Sequence, residues 1–262
     1  MRAAFVGTWL TLAAASLAAC GFGAGNLSTG SHDDPRVIDL GHALAASDPS
    51  WDGTPAFSRT VDATFSANGY SAGRFASEEH FGTNVDAPAH FAADGLTVDR
   101  LAADRLVRPG VCIDVQSQVR GNEDYRVTRA DIDAFEKAHG QIAEGTTVLI
   151  ATGWDARWPD AARYMNTGAG VKHFPGLSVE AAMRLAHDRK VAAIGIDTPS
   201  VDYGPSEQFE AHRVTMAAGL YHVENAAGLT SLPATGFTVV VAPIKIQDGS
   251  GGPARVFALV GK

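Results

Sequence analysis

Five short runs of aliphatic and largely β-branched residues constrain the fold of this chain most: residues 37–40, 111–115, 147–151, 191–196 and 237–243. Such residues suit a pleated, buried surface, and runs of this length read as strands. Helical signals lie between them. Thr128 is placed as an N-cap, Asp131 three residues on nearly completes a capping box, and Gly140 stops the helix after about His139. Ser178 opens a second helix in the same way, with Ala181, Ala182, Leu185 and Ala186 on one small apolar face. A shorter helical piece is expected over residues 212–218. Strands interleaved with helices predict a mixed α/β architecture. At 262 residues and 45% apolar content, the chain can bury one core, so residues 36–262 are expected to form a single domain.

The N-terminal segment reads as targeting. Arg2 is followed by an apolar run over residues 5–17, too short to span a bilayer comfortably, which ends in Leu17-Ala18-Ala19-Cys20. Residues 1–19 are thus expected to be a signal peptide of the lipoprotein type, with Cys20 lipidated; an ordinary secretory signal is the plainer alternative. Residues 20–35, rich in Gly, Ser and Asn, read as a flexible tether. An extracytoplasmic protein follows, membrane-anchored through lipid or secreted. The formal charge of -8 opposes contact with nucleic acid and anionic membrane surfaces. Cys112 lies in one of the apolar runs and is expected to be a buried structural thiol.

The densest cluster of potential ligands runs Glu79-His80-Phe81-Gly82-Thr83-Asn84-Val85-Asp86-Ala87-Pro88-Ala89-His90-Phe91. His80, Asn84, Asp86 and His90 fall at even spacing, so on an extended segment they share a face. Gly82 and Pro88 oppose a regular central strand, and a bent loop is expected instead. Imidazole and carboxylate hold a divalent first-row cation while leaving a position open; the alternative is a polar surface loop. His212 and Glu224 form a second cluster, and Glu224 stands in a weakly charged stretch where a carboxylate must be paired, coordinated or exposed. No serine occupies a Gly-x-Ser-x-Gly elbow. The Gly249-Ser250-Gly251-Gly252 run lacks the ending of a phosphate loop and reads as a turn.

Residues 80–91 resemble the His-x-Gly-Thr-His-x-Asp-x-Pro-x-His signature of the metal-dependent cyclase family, which includes kynurenine formamidases and isatin hydrolases. The resemblance extends to Trp51-Asp52-Gly53-Thr54-Pro55, Thr152-Gly153-Trp154, Gly195-Ile196-Asp197-Thr198, and His212 with Glu224. It implies a β-rich domain of swivelling β/β/α type, a homo-oligomer, and a small-molecule substrate. It further implies metal-dependent hydrolysis of a C–N amide bond in an N-formyl arylamine or a cyclic amide. By the same resemblance His80, Asp86, His212 and Glu224 are metal ligands, His90 transfers the proton, and Trp51 faces the substrate. The family places a histidine where this chain has Asn84. As a ligand, an amide oxygen there favours Mn²⁺ over Zn²⁺ and leaves one ion or two. His222 is placed to compensate, or simply to pack. A lactonase, or a binding lipoprotein without turnover, are the other readings; His42 and His173 are weaker candidates to border the pocket.

The leader yields one direct expectation. Cys20→Ala should move the protein from the membrane to the soluble extracytoplasmic fraction, measured by fractionation and immunoblotting. Wild-type protein that is already soluble and unlipidated would overturn the lipoprotein reading.

Overall fold

The computed structural model describes residues 35–261, so residues 1–34, with the leader, Cys20 and most of the tether, lie outside the described residues. The main sheet has eight strands: β1 (Arg36–Asp39), β2 (Asn84–Asp86), β3 (Val107–Asp114), β4 (Thr147–Ala151), β5 (Ala193–Ile196), β6 (Tyr221–Glu224), β7 (Phe237–Pro243) and β8 (Gly251–Val260). Their order is β1-β8-β7-β3-β4-β5-β6-β2, and β2 pairs back onto β8. Seven strands therefore close into a mixed barrel, with β1 added along the edge of β8. The neighbours from β3 through β6 run parallel, and the remaining pairings are antiparallel.

The pleat sorts side chains between two faces. Along one paired row the ring carries Cys112, Leu149, Gly195, Val223, Val85 and Gly252. These belong to the barrel interior, with Tyr221, Val239 and Val256 in the same cluster. Gly195 is required there, since a β-carbon would lie 2.5 Å from Leu149 Cδ2. Cys112 is buried in this layer, where desolvation pushes its thiol up to about 12. The opposite face carries Val148, Ile150, Ile194 and Ile196, packed against helices. Those helices include α1 (Arg129–His139), α2 (Val179–Met183), which continues as one π-helical turn over Arg184–Asp188, and α3 (Glu210–Ala217). The alternation sends Asn84 and Asp86 of β2, and His222 and Glu224 of β6, to this outer face.

The Thr128–Asp131 capping box forms as the sequence indicates, and α1 ends at Gly140. Two expectations are corrected. The ligand-rich segment is not all loop, because Asn84–Asp86 is a short strand between the Gly82 turn (φ 61°) and a 3₁₀ turn over Pro88–His90. Its even spacing keeps Asn84 and Asp86 on one face. The glycine run is not merely a turn either, since Gly251 and Gly252 open β8 and pair with Asp86 and Val85. A β-carbon on Gly251 would lie 2.4 Å from the Val85 carbonyl and 2.5 Å from the His80 ring.

One partly buried ion network ties α1 to the π-helical turn. Glu136 accepts from Arg189 Nη2 at 2.7 Å, from Arg184 Nη2 at 3.0 Å and from the Ile142 amide at 3.0 Å. Its side chain is only 10% exposed, so solvent screens the network weakly. The Arg189 bonds overcome burial and hold its carboxyl at about 2, against an ordinary 4.5. The resulting stability is complete above pH 4.5 and lost as pH falls toward about 2. Glu136→Gln should cost roughly 1.5–3 kcal/mol near neutral pH, the range for hydrogen bonds to charged groups. The deficit should shrink near pH 3, measured by urea unfolding at both pH values.

Candidate metal centre

Asp86 stands at the middle of the outer-face cluster, 1% exposed. Its Oδ1 lies 2.6 Å from His80 Nδ1 and accepts from Asn84 Nδ2 at 2.7 Å, while Oδ2 lies 3.2 Å from His212 Nε2. His212 Nε2 is also 3.2 Å from Glu224 Oε1, which accepts from the Val201 amide at 2.9 Å. The two sequence clusters thus converge, although they are far apart in the chain. Burial opposes the charge on Asp86, and hydrogen bonds from His212 and His80 overcome it, holding the carboxyl well below the usual range. Glu224 is pushed up to about 7 by burial and then by the neighbouring Asp86 carboxylate. His212 is raised well above its usual value, because its carboxylate partners outweigh desolvation.

These contacts test whether a cation fits. Ligand atoms of Asp86, His212, His222 and Glu224 lie within 4.8 Å of one another, and His80, Asp86 and His90 form an adjoining group. A single His212 nitrogen faces two carboxylate oxygens and carries at most one proton. Two buried carboxylates that disfavour one another are stabilised by positive charge between them, so the donor set fits a divalent cation.

The imidazoles of the cluster are oriented from behind. His212 Nδ1 donates to Asp202 Oδ2 at 2.6 Å, which leaves Nε2 for the cluster. Asp202 also accepts the Ala211 amide at 2.8 Å and the His212 amide at 3.1 Å, capping α3, whose own N-cap residue Phe209 offers no side-chain acceptor. For His80, the Ser250 hydroxyl donates to Glu79 Oε2 at 2.6 Å and so accepts from His80 Nε2 at 2.9 Å. Nδ1 is then the nitrogen that faces Asp86.

Asn84 enters this centre differently from the sequence expectation of a ligand. Its amide nitrogen meets Asp86, and its oxygen accepts from Asn225 Nδ2 at 3.2 Å. The orientation is fixed: Asn225 Nδ2 also donates to the Gly82 carbonyl at 2.9 Å, and Asn225 Oδ1 accepts from the Tyr164 hydroxyl at 2.9 Å. Turning either amide would set like groups against each other.

His90 occupies the exposed rim, its ring stacked on His80 at 4.0 Å, and burial of one side pushes it down to about 4. Phe91 packs on His90 and His212, with centroids at 4.6 and 4.7 Å, and Phe209 packs on Phe91 at 5.4 Å. Trp51 reaches Phe209 at 6.0 Å and carries Lys172 Nζ at 4.2 Å over its ring. An aromatic wall therefore leads from the cluster to a Trp51 that is 41% exposed. Lys172 comes from the Gly-rich loop, whereas His173 pairs with Asp124 at 2.9 Å and His42 stacks on Trp158 at 4.3 Å. Sequence reasoning missed Asp202, Glu79 and Ser250. For Ser250 the adjoining glycines were a usable signal of close backbone approach.

Fold and site define, by class, a metal-dependent hydrolase. The chain belongs to the cyclase family: residues 38–203 match the family described as putative cyclase. It is 34% identical to the isatin hydrolase of Roseibium aggregatum over 193 residues, 70% of this chain and 73% of the relative. It is 25% identical to the kynurenine formamidase of Salinibacter ruber, covering 84% of this chain and 95% of that protein. The solved structure of isatin hydrolase A from Ralstonia solanacearum superposes with a TM-score of 0.82 at 35% identity, covering 86% of this chain and 92% of that one.

The double role of Asp202 makes it testable. Asp202→Asn keeps an acceptor for the helix amides but removes the charge that holds His212 Nδ1–H. Zn²⁺ or Mn²⁺ affinity should fall about 10–100-fold with the fold intact, the range for groups behind metal ligands. Competition titration with a chromophoric chelator measures it.

Proposed function

We propose that this protein hydrolyses the C–N bond of a cyclic amide fused to an aromatic ring, an isatin-type lactam, with a divalent cation held by His80, Asp86, His212 and Glu224. The observation that carries the reading is the convergence of these four side chains around Asp86, with His212 and His80 oriented from behind. Isatin hydrolase relatives at 34–35% identity support the lactam over the N-formyl arylamine. The mixed imidazole–carboxylate donors suit Zn²⁺ or Mn²⁺. When bound, the cation supplies Lewis acidity toward the substrate carbonyl and an attacking water.

The chain's own residues do the rest. Phe91, Phe209 and Trp51, tilted by 44° and 48° from one ring to the next, offer apolar ring faces and edges against which a fused ring packs. A surface cavity of about 460 Å³ adjoins Trp51 and is lined also by Asp48, Met165 and Lys172; it touches this wall through Trp51 alone and includes no residue of the Asp86 cluster. His90 is placed at the rim to take the proton from water as its oxygen bonds to the carbonyl carbon. As the C–N bond breaks, His90 returns that proton to the departing nitrogen. The balance is addition of one water across the amide. The exposed apolar side chains Phe65, Tyr70 and Phe75, on and beside the hairpin of Phe57–Ala63 and Ala72–Ser77, suit a second copy of the chain.

His90→Ala should keep its metal and lose about 10²–10⁴-fold in kcat, the usual contribution of a general acid–base group. Glu224→Ala should lose most of the metal itself. Isatin, formanilide and aromatic lactone substrates assayed side by side, with metal content determined for each variant, test both statements. Full turnover by His90→Ala on a substrate the wild type cleaves would remove His90 from the mechanism. A formanilide or lactone cleaved in preference to isatin would overturn the substrate class.

A further inference from the structure

The centre contains one more imidazole, and its hydrogen bonding leaves it incomplete. His222 is fully buried on β6, in register opposite Asp86 of β2. Its Nε2 lies 2.7 Å from the Thr215 hydroxyl of α3. That hydroxyl has a single proton, which goes to the Ala211 carbonyl at 2.7 Å, one turn back along the helix. The hydroxyl oxygen must therefore accept from His222 Nε2–H. This fixes the tautomer and leaves Nδ1 as a bare lone pair. Among the described residues Nδ1 has no hydrogen-bond partner, although it is buried from solvent. Buried polar atoms are nearly always paired, so an orphan on an imidazole that is grouped with two carboxylates and a second imidazole calls for an explanation.

We infer that His222 is a ligand of the metal centre, donating through Nδ1. The inference rests on the reading of the Asp86 cluster as a metal site. A ring nitrogen of His222 lies within 4.8 Å of ligand atoms from Asp86, His212 and Glu224, close enough for one ion to gather all four. The register supplies the reason. Asp86 pairs with His222, and Asn84 pairs with Glu224, so four side chains make a compact patch on two adjacent strands. Asn84 turns its oxygen away to Asn225 and offers the cluster only an amide N–H. The nitrogen donor that this corner lacks comes instead from the diagonal position on the neighbouring strand. Thr215 orients that imidazole as Asp202 orients His212, both from behind the ligand.

The test uses the full chain and the metals Zn²⁺ and Co²⁺. His222→Gln, near to histidine in size, should weaken Zn²⁺ binding by on the order of 100-fold or more, at or beyond the 10–100-fold range for groups that only support a ligand. The visible spectrum of the Co²⁺ form should also change as a nitrogen donor is lost, with circular dichroism unaltered. Unchanged affinity and spectrum in a folded His222→Gln protein would overturn the inference. Should that variant not fold, ¹⁵N-histidine spectra of the wild type decide. The His222 Nδ1 resonance should move on Zn²⁺ addition, and a resonance that stays in place overturns the assignment. Asp86→Asn separates the two levels of the argument. Loss of Zn²⁺ there, with retention in His222→Gln, rejects His222 alone. A wild type that binds neither Zn²⁺ nor Co²⁺ rejects the metal centre itself.

Discussion

A carboxylate buried at the closing seam of the barrel governs this structure. Asp86 lies on the three-residue strand that joins β6 to β8, and it is in register with His222 on one side and Gly251 on the other. An isolated charge is costly in such a place, so the seam is tolerable only because imidazole and amide groups meet both oxygens. The residues around it follow from that demand. Gly82 turns the chain into the strand at positive φ, and Pro88 opens the turn that carries His90 out to the rim. Gly251 leaves room for the His80 ring. Closing the sheet and assembling the cluster are one structural event.

Orientation of the imidazoles is the second theme. Three of them depend on a partner behind the ring: Ser250 with Glu79 for His80, Asp202 for His212, and Thr215 for His222. The partners differ in strength. A carboxylate in contact with Nδ1–H raises the basicity of the opposite nitrogen, whereas a hydroxyl already committed to a helix carbonyl only selects the tautomer. His212, with the charged partner, therefore holds the position between Asp86 and Glu224. His222 is driven by burial down to about 3 and is neutral, the state in which a nitrogen lone pair is available.

Much of this was legible in the sequence. The β-branched runs gave strands because aliphatic side chains on both faces need a sheet covered on both sides, and β4 and β7 fall on the residues of those runs. The capping chemistry of Thr128 located α1 because cap residues act locally. Even spacing placed Asn84 with Asp86 for the same local reason. What stayed hidden depends on register and long-range approach. Nothing near Asp202 in the chain says that its carboxylate meets His212 from behind, and nothing near Ser250 points to His80. The direction of the Asn84 amide was equally invisible, since a chain of hydrogen bonds through Asn225 to Gly82 and Tyr164 sets it.

The site also divides into a fixed and an adaptable half. Asp86, His212, His222 and Glu224 are buried among strands and α3, so a change of shape there disturbs the barrel seam as well as the cluster. Trp51, Phe91, Phe209 and His90 belong to turns and rim segments and contact one another mainly through ring faces and edges. Aromatic contacts of this kind permit small shifts at modest cost, whereas a hydrogen-bonded buried carboxylate does not. Under the proposed function, substitution along the rim changes substrate preference while the chemistry of the centre stays constant. The same reasoning explains why a departure such as Asn84, inside the fixed half, must be accompanied by partners that satisfy both ends of its amide. Asn225 and Asp86 are those partners here.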